Sequence, residues 1–230
     1  GNAAIDAART ALRLGAEEVR ILYRRTRAQM PAWAEEVDAA DLEGIEVLTL
    51  VAPQEIVRDE QGAVTGVRCK EMVLGDYDKS GRRRPVSGHD PDFVVEADTV
   101  IAAIGQWLDA EPLMDGVKVD LGRKGYFAAD RMSGRTSEPW VFAGGDAVTG
   151  PASVVEAIGA GERAAGGMDA FLTGASHAFW REYRDVRTDF DPAADPADYP
   201  RAEVNMSAVD RRRANFEEVE RSWNEATAVQ

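Results

Sequence analysis

Reactive side chains are scarce in this chain: among 230 residues there are one cysteine, Cys69, and two histidines, His89 and His177. A single thiol excludes an internal disulfide framework and any complete cysteine cluster within these residues, so a reducing, cytoplasmic compartment is expected. Neither histidine has a cysteine or a metal-ligand spacing beside it, which leaves both with structural or solvent roles and no metal site. Cys69 stands alone in VRCKEM, without the CxxC pair that passes electrons to a thiol substrate. No apolar run approaches the roughly 18 residues that a membrane span needs. Positive charge is also short, with 27 Lys and Arg against 41 Asp and Glu and a net charge of −14. A footprint on nucleic acid or an anionic membrane needs a clustered basic surface, so neither partner is expected. What is present is a 44% hydrophobic composition, enough to build the core of one large or two small domains.

The apolar residues Ala4, Ile5, Ala8, Ala11 and Leu12 recur at helical spacing, and Gly15 supplies the stop. The run 19–23 is β-branched and aromatic and reads as a strand, making loop, helix and strand the later part of a βαβ unit. A helix over 33–42 and a strand over 45–50 follow. The turn DEQG at 59–62 joins strands at 55–58 and 64–74 in a small antiparallel meander. Residues 75–92, rich in Gly and Pro and without period, read as a long loop whose Arg82, Arg83 and Arg84 form a solvated face. The apolar runs 99–104, ending on Gly105, and 140–143, meeting Gly144, Gly145 and Asp146, read as buried parallel strands. A helix begins near Pro151 or Ser153, and its small residues Ala157, Gly161, Ala164 and Ala165 suit it to lie close against a sheet. Beyond about residue 176 the chain turns acidic and proline-bearing. It reads as an extended linker over 184–201 and a short, highly charged terminal helix over 208–226.

The opening GNAA matches the second half of the dinucleotide turn GxGxxA, in which glycine lets the backbone approach a pyrophosphate and N–H groups face it at a helix start. NAD-preferring sites carry an acidic residue at the end of the next strand. Here that end is Tyr23, Arg24 and Arg25. Two guanidiniums suit a 2′-phosphate, bound by charge-assisted bonds, so NADPH is favoured over NADH.

Together GNAAIDAARTALRLGA, YRRTRAQMPA, SGRRRPV, ADTVIAAIGQ and VFAGGDAVTGPASVVEAIGAG, in that order, resemble the NADPH-dependent flavin oxidoreductases typified by the glutamate synthase small (β) subunit. The resemblance runs over roughly residues 1 to 174 and extends to the flavin halves of dihydropyrimidine dehydrogenase and, more distantly, adrenodoxin reductase. It implies an α/β, Rossmann-like FAD/NAD(P)-binding fold: a parallel sheet with helices plus the small meander, truncated. Residues 1–100 would be the NADPH domain without its first strand, 101–175 the C-terminal half of the FAD domain, and 176–230 the linker and terminal helix. By the same resemblance Gly1, Asn2 and Ala3 belong to the pyrophosphate turn, Arg24 and Arg25 meet the 2′-phosphate with Arg27 as helper, and Glu36 lines the nucleotide site. Gly105, Gly145 and Asp146 belong to the flavin side, where Asp146 accepts from a ribityl hydroxyl. Backbone groups of Ser153, Val154 and Val155 begin a helix aimed at the flavin ring. Two departures stand out: Trp140 occupies a position where relatives usually have glycine, and FAADRMSGRTSEP is an unusual approach to it.

The chemistry so implied is hydride transfer from NADPH to FAD, carried by the cofactors, with no obligatory protein nucleophile or base. Electrons would then pass to iron–sulfur clusters outside these residues and to a large catalytic subunit or another acceptor. Glutamate formation is the leading destination. A sister enzyme that feeds ferredoxin or another reductase is the alternative, favoured by the charged tail, which resembles segments preceding a cysteine-rich motif. The sequence is expected to be an internal piece. On its own it would act as a non-catalytic nucleotide-binding and subunit-contact module, without activity.

Overall fold

A computed structural model describes residues 1–78, 81–177 and 202–228. The chain divides into two compact units, Gly1–Ile104 with Asp198–Gln230, and Gly105–Ala197. In the first unit, helix α1 (Asn2–Arg13) leads to strand β1 (Arg20–Tyr23), and helix α2 (Ala34–Leu42) leads to strand β2 (Glu46–Thr49). The two strands pair in parallel, with Ile21 opposite Val47 and Tyr23 opposite Thr49. Ile5, Ala8 and Leu12, three to four residues apart, put one face of α1 into a core with Ile21, Val37, Ala40 and Ile45. Gly15 turns the chain after α1 at φ 101°, a conformation that costs glycine little.

Leu50, left-handed at φ 57°, separates β2 from strand β3 (Val51–Arg58). Here the parallel pair gives way to an antiparallel sheet. Strand β4 (Val64–Tyr77) pairs with β3, with strand β5 (Arg83–Ser87) and with strand β6 (Phe93–Glu96). Gly66 is required where β6 crosses β4, because a Cβ there would stand 2.8 Å from both Val94 Cγ1 and the Val95 carbonyl oxygen. Val51, Val67 and Cys69 form the sheet's core. Burial pushes the Cys69 thiol above its ordinary pKa, so it packs as a small hydrophobe.

The long loop expected over 75–92 is instead the end of β4, a turn and β5. Arg83 donates from Nε and Nη2 to the Gly75 and Leu74 carbonyls, and Pro85 sits on a strand paired on one side only. Charged strand residues and an edge proline hid a hairpin.

The C-terminal segment packs on the first unit through helix α5 (Val209–Arg213), flanked by strands β7 (Asn205–Met206) and β8 (Glu220–Arg221) and followed by helix α6 (Glu225–Ala228). The single helix expected over 208–226 is therefore broken in two. Ser207 turns inward, its N–H donating to the Val219 carbonyl and its hydroxyl to that of Glu218, so the intervening residues form a hairpin. The linker expected over 184–201 lies outside the described residues. Docking centres on Glu43, which is fully buried among Arg9 (2.7 and 3.0 Å), Arg13 (3.8 Å) and Arg212 (3.3 Å). Arg13 also donates to the Arg212 carbonyl at 2.8 Å.

The second unit holds a short helix α3 (Asp146–Thr149) and the 20-residue helix α4 (Val154–Thr173), with isolated bridges in place of strands among its described residues. The strands expected over 99–104, at the end of the first unit, and over 140–143 do not form. Ile101 and Ile104 are 61% and 85% exposed, and the backbone of Phe142 pairs only as an isolated bridge with Arg135. An apolar run becomes a buried parallel strand only with neighbours to complete its ladder, and no described strand flanks these. The small face of α4 accordingly meets loops: Ala160 and Ala164 lie close to Gly144 and Gly134.

Candidate functional site

At the carboxyl end of β1, the N-termini of α1 and α2 converge. Gly1 caps α1, its carbonyl accepting from the N–H groups of Ala4 and Ile5, while those of Asn2 and Ala3 have no partner among the described residues. Asn2 Oδ1 accepts the Trp33 N–H at 3.0 Å, and Pro31 lies against Gly1. The two helix starts are thereby tied into one rim, with unpaired N–H groups and the positive ends of both dipoles together. This is where ligands bind in open α/β sheets, outside the carboxyl ends of parallel strands.

The arginines on the connection after β1 divide their tasks. Arg24 is exposed and makes neither a hydrogen bond nor an ion pair among the described residues. Arg25 is 7% exposed and turned inward, bonded to Asp78 at 2.8 Å, while its carbonyl accepts from the Leu50 N–H. Arg27 pairs with Asp38 (2.8 Å) and Asp41 (2.6 Å) on α2. The connection is thus anchored directly after Arg24 by Arg25 and Arg27, and before it by Tyr23 in the β1–β2 ladder. Glu36, in the first turn of α2, carries a buried Oε2 without a hydrogen-bond partner among the described residues. Asp78 carries no sequence signal, since it follows β4 in a polar stretch rich in Gly and Pro.

In the second unit an open cleft of about 480 Å³ is lined by Gly144, Gly145, Asp146, Ser153 and Val154, with Phe142 and Ala157 beside them. Gly145 precedes α3 at φ 60° and ψ −147°, a backbone conformation that favours glycine. Asp146 Oδ1 accepts the Ala152 N–H at 3.3 Å, drawing the chain round to α4. There Ser153 and Glu156 close a reciprocal cap: the Glu156 N–H donates to Ser153 Oγ at 3.2 Å, and the Ser153 N–H and hydroxyl donate to Glu156 Oε2 at 3.0 and 2.8 Å. Those bonds hold the Glu156 carboxyl below its ordinary pKa, the backbone N–H contributing most. The N–H groups of Val154 and Val155 have no partner among the described residues, and both side chains are exposed. Gly105 stands apart, in an exposed turn at φ 95°, and does not line this cleft. Ala157 and Gly161, read from sequence as packing residues, do line it. The described residues hold no cluster of metal ligands and no helix long and apolar enough to cross a membrane.

Parallel strands with helix N-termini at their carboxyl ends are the arrangement of the α/β nucleotide-binding folds. Residues 1–161 match the pyridine nucleotide-disulphide oxidoreductase family, and the chain belongs to it. It is 41% identical, over 231 aligned positions, to the beta subunit of an NADP(+)-dependent formate dehydrogenase from Moorella thermoacetica, covering 96% of this chain and 32% of that protein. Over 179 residues it is 38% identical to the small chain of an NADPH glutamate synthase from Azospirillum brasilense, covering 77% of this chain and 37% of the relative. It spans about a third of the length of these relatives. Among solved structures it resembles T. acidophilum thioredoxin reductase, with a TM-score of 0.56 at 24% identity, over 71% of this chain and 47% of that one. That likeness shows the fold.

Proposed function

We propose that the chain carries the NADPH-binding domain and the returning part of the FAD-binding domain of a flavin oxidoreductase component. The component takes hydride from NADPH onto FAD and delivers electrons through iron–sulfur centres to a partner subunit. The observation that carries this reading is Arg24, an exposed guanidinium without a partner among the described residues, at the carboxyl end of β1 and beside two converging helix N-termini. Both sites fit their ligands. On the nucleotide side, an orphaned buried acceptor, Glu36 Oε2, and unpaired N–H groups at Asn2 and Ala3 suit ribose and pyrophosphate. On the flavin side, Gly144 and Gly145 leave backbone open beside Asp146 and the unpaired N–H groups that begin α4. When bound, the two cofactors supply the hydride donor and its acceptor.

The chain's own work is to hold and to select. Arg24 binds the 2′-phosphate, while Arg25, fastened to Asp78, and Arg27, fastened to α2, fix the connection that presents it. The start of α1 receives the pyrophosphate, and Asp146 accepts from a flavin hydroxyl while α4 directs its positive end into the cleft.

Titration with NADPH and NADH tests this. Arg24→Ala should weaken NADPH about tenfold or more, the size of a lost charge-assisted bond, and leave NADH unchanged. Equal wild-type affinity for both nucleotides, or NADPH binding indifferent to Arg24, would overturn it.

For the electron acceptor there are two readings. Glutamate synthase small-chain function follows the sequence motifs. Service to another reductase is favoured by the match over 96% of the chain to the formate dehydrogenase beta subunit, against 77% for the glutamate synthase chain. Whichever partner reoxidises the NADPH-reduced protein decides between them.

A further inference from the structure

We infer that Trp33 forms a stacking platform for the adenine ring of the bound dinucleotide, an inference that rests on the NADPH reading above. Its indole is 68% exposed and makes no hydrogen bond among the described residues, whereas the Trp223 indole N–H donates to the Glu203 carbonyl. Exposure of so large a ring has a cause when its backbone is fixed, and that of Trp33 is fixed at the nucleotide rim. Its N–H donates to Asn2 Oδ1 at 3.0 Å, and it is the capping residue of α2. The preceding Ala32 packs on the hydrophobic core and Pro31 lies against Gly1. The backbone that carries the indole is therefore already ordered when a flat ring settles on it, which favours stacking.

The choice of adenine follows from chain order. Arg24 and Trp33 are borne on one short connection between β1 and α2, anchored by Arg25 and Arg27. The 2′-phosphate that Arg24 takes belongs to the adenosine half, so the ring nearest that connection is adenine.

The test measures binding of NADPH, NADH and 2′,5′-ADP, which has adenine and the 2′-phosphate but no nicotinamide, to the full chain and its variants. Trp33→Ala should weaken all three alike, by about tenfold, a typical worth for base–aromatic stacking. Trp33→Phe should restore most of the loss. The thermal unfolding midpoint should not move, since the indole is exposed. Arg24→Ala should weaken NADPH and 2′,5′-ADP only, so the two residues fail separately. Unchanged affinities in Trp33→Ala would overturn the inference while the arginine effect leaves the NADPH reading standing. Loss for NADPH and NADH but not for 2′,5′-ADP would overturn the assignment to adenine. Absence of any NADPH binding by the wild type would overturn both.

Discussion

The helices of the two units handle their apolar residues in opposite ways. In the first, the faces of α1, α2 and the strands close on one another, and Ile5, Ala40, Cys69 and the charged Glu43 are fully or almost fully shielded. In the second, α4 runs for 20 residues with Val154, Val155 and Leu172 each at least 75% exposed, and Trp107 is 78% exposed. Composition does not explain the contrast, since α4 is as apolar as any helix here. The difference lies in partners: α1, α2 and the parallel strands share one buried core, while the second unit is organised by turns, caps and close glycine contacts among the described residues. Hydrophobic burial stabilises the one and local hydrogen bonds organise the other.

The sharpest way to break that contrast is at Glu43. Its carboxylate is buried among three arginines from α1 and α5, so removing its charge leaves several guanidiniums without their counter-ion. Glu43→Gln should cost about 3–5 kcal/mol, as expected for breaking a buried ion pair. Hydrogen exchange should quicken in α1, α2 and α5 together and stay unchanged in α4. Equal quickening in α4, or a loss below about 1 kcal/mol, would show that the units are not independent or that the cluster is idle.

At Ser153 the expected effect is smaller and falls on the other unit. Ser153→Ala removes the cap of α4 and should cost about 1 kcal/mol, confined to the first turns of that helix. Exchange rates at Ala157 and Ile158 report it. Unchanged rates there would mean that α4 is held by its contacts with the Gly134 and Gly144 loops and not by its cap.

The same contrast governs what could be read from sequence. Helix α1, strands β1 and β2, the turn at Asp59–Gly62 and the start of α4 at Ser153 were all legible, because each is specified by period, turn chemistry or capping within a few residues. The β4–β5 hairpin was not: Arg83 joins it by donating to backbone carbonyls, a use of arginine that periodicity does not register. Nor could the runs 99–104 and 140–143 be judged, since a buried strand and an exposed apolar segment look alike until their neighbours are known. In the site, the arginine pair was visible as a pair. That Arg25 turns inward to Asp78, leaving Arg24 alone, depends on a contact 53 residues away. The exposed Trp33 gave no sequence signal beyond opening a helix.

The smallest effect expected is a pH dependence at the start of α4. The Ser153 N–H and hydroxyl bond the ionised Glu156 carboxylate and hold its pKa below the ordinary 4.5. A carboxyl depressed in the folded state adds stability that is fully present above its unfolded value and lost as pH falls through the folded one. Acidification below about 4.5 should therefore fray the first turn of α4, seen as faster exchange near Ala157 once intrinsic pH effects are divided out. The other end of the helix supplies an internal check. Asp169 is also depressed, by its bond to His177 at 2.8 Å, so fraying there should follow its own course. Glu156→Gln removes the titrating carboxyl while keeping a side-chain oxygen that can accept from Ser153, and should abolish the acid-dependent step at the N-terminus while leaving that near Asp169 in place. Persistence of the N-terminal step in that variant would mean that the proton is taken up elsewhere, and that the cap holds α4 by geometry and not by charge.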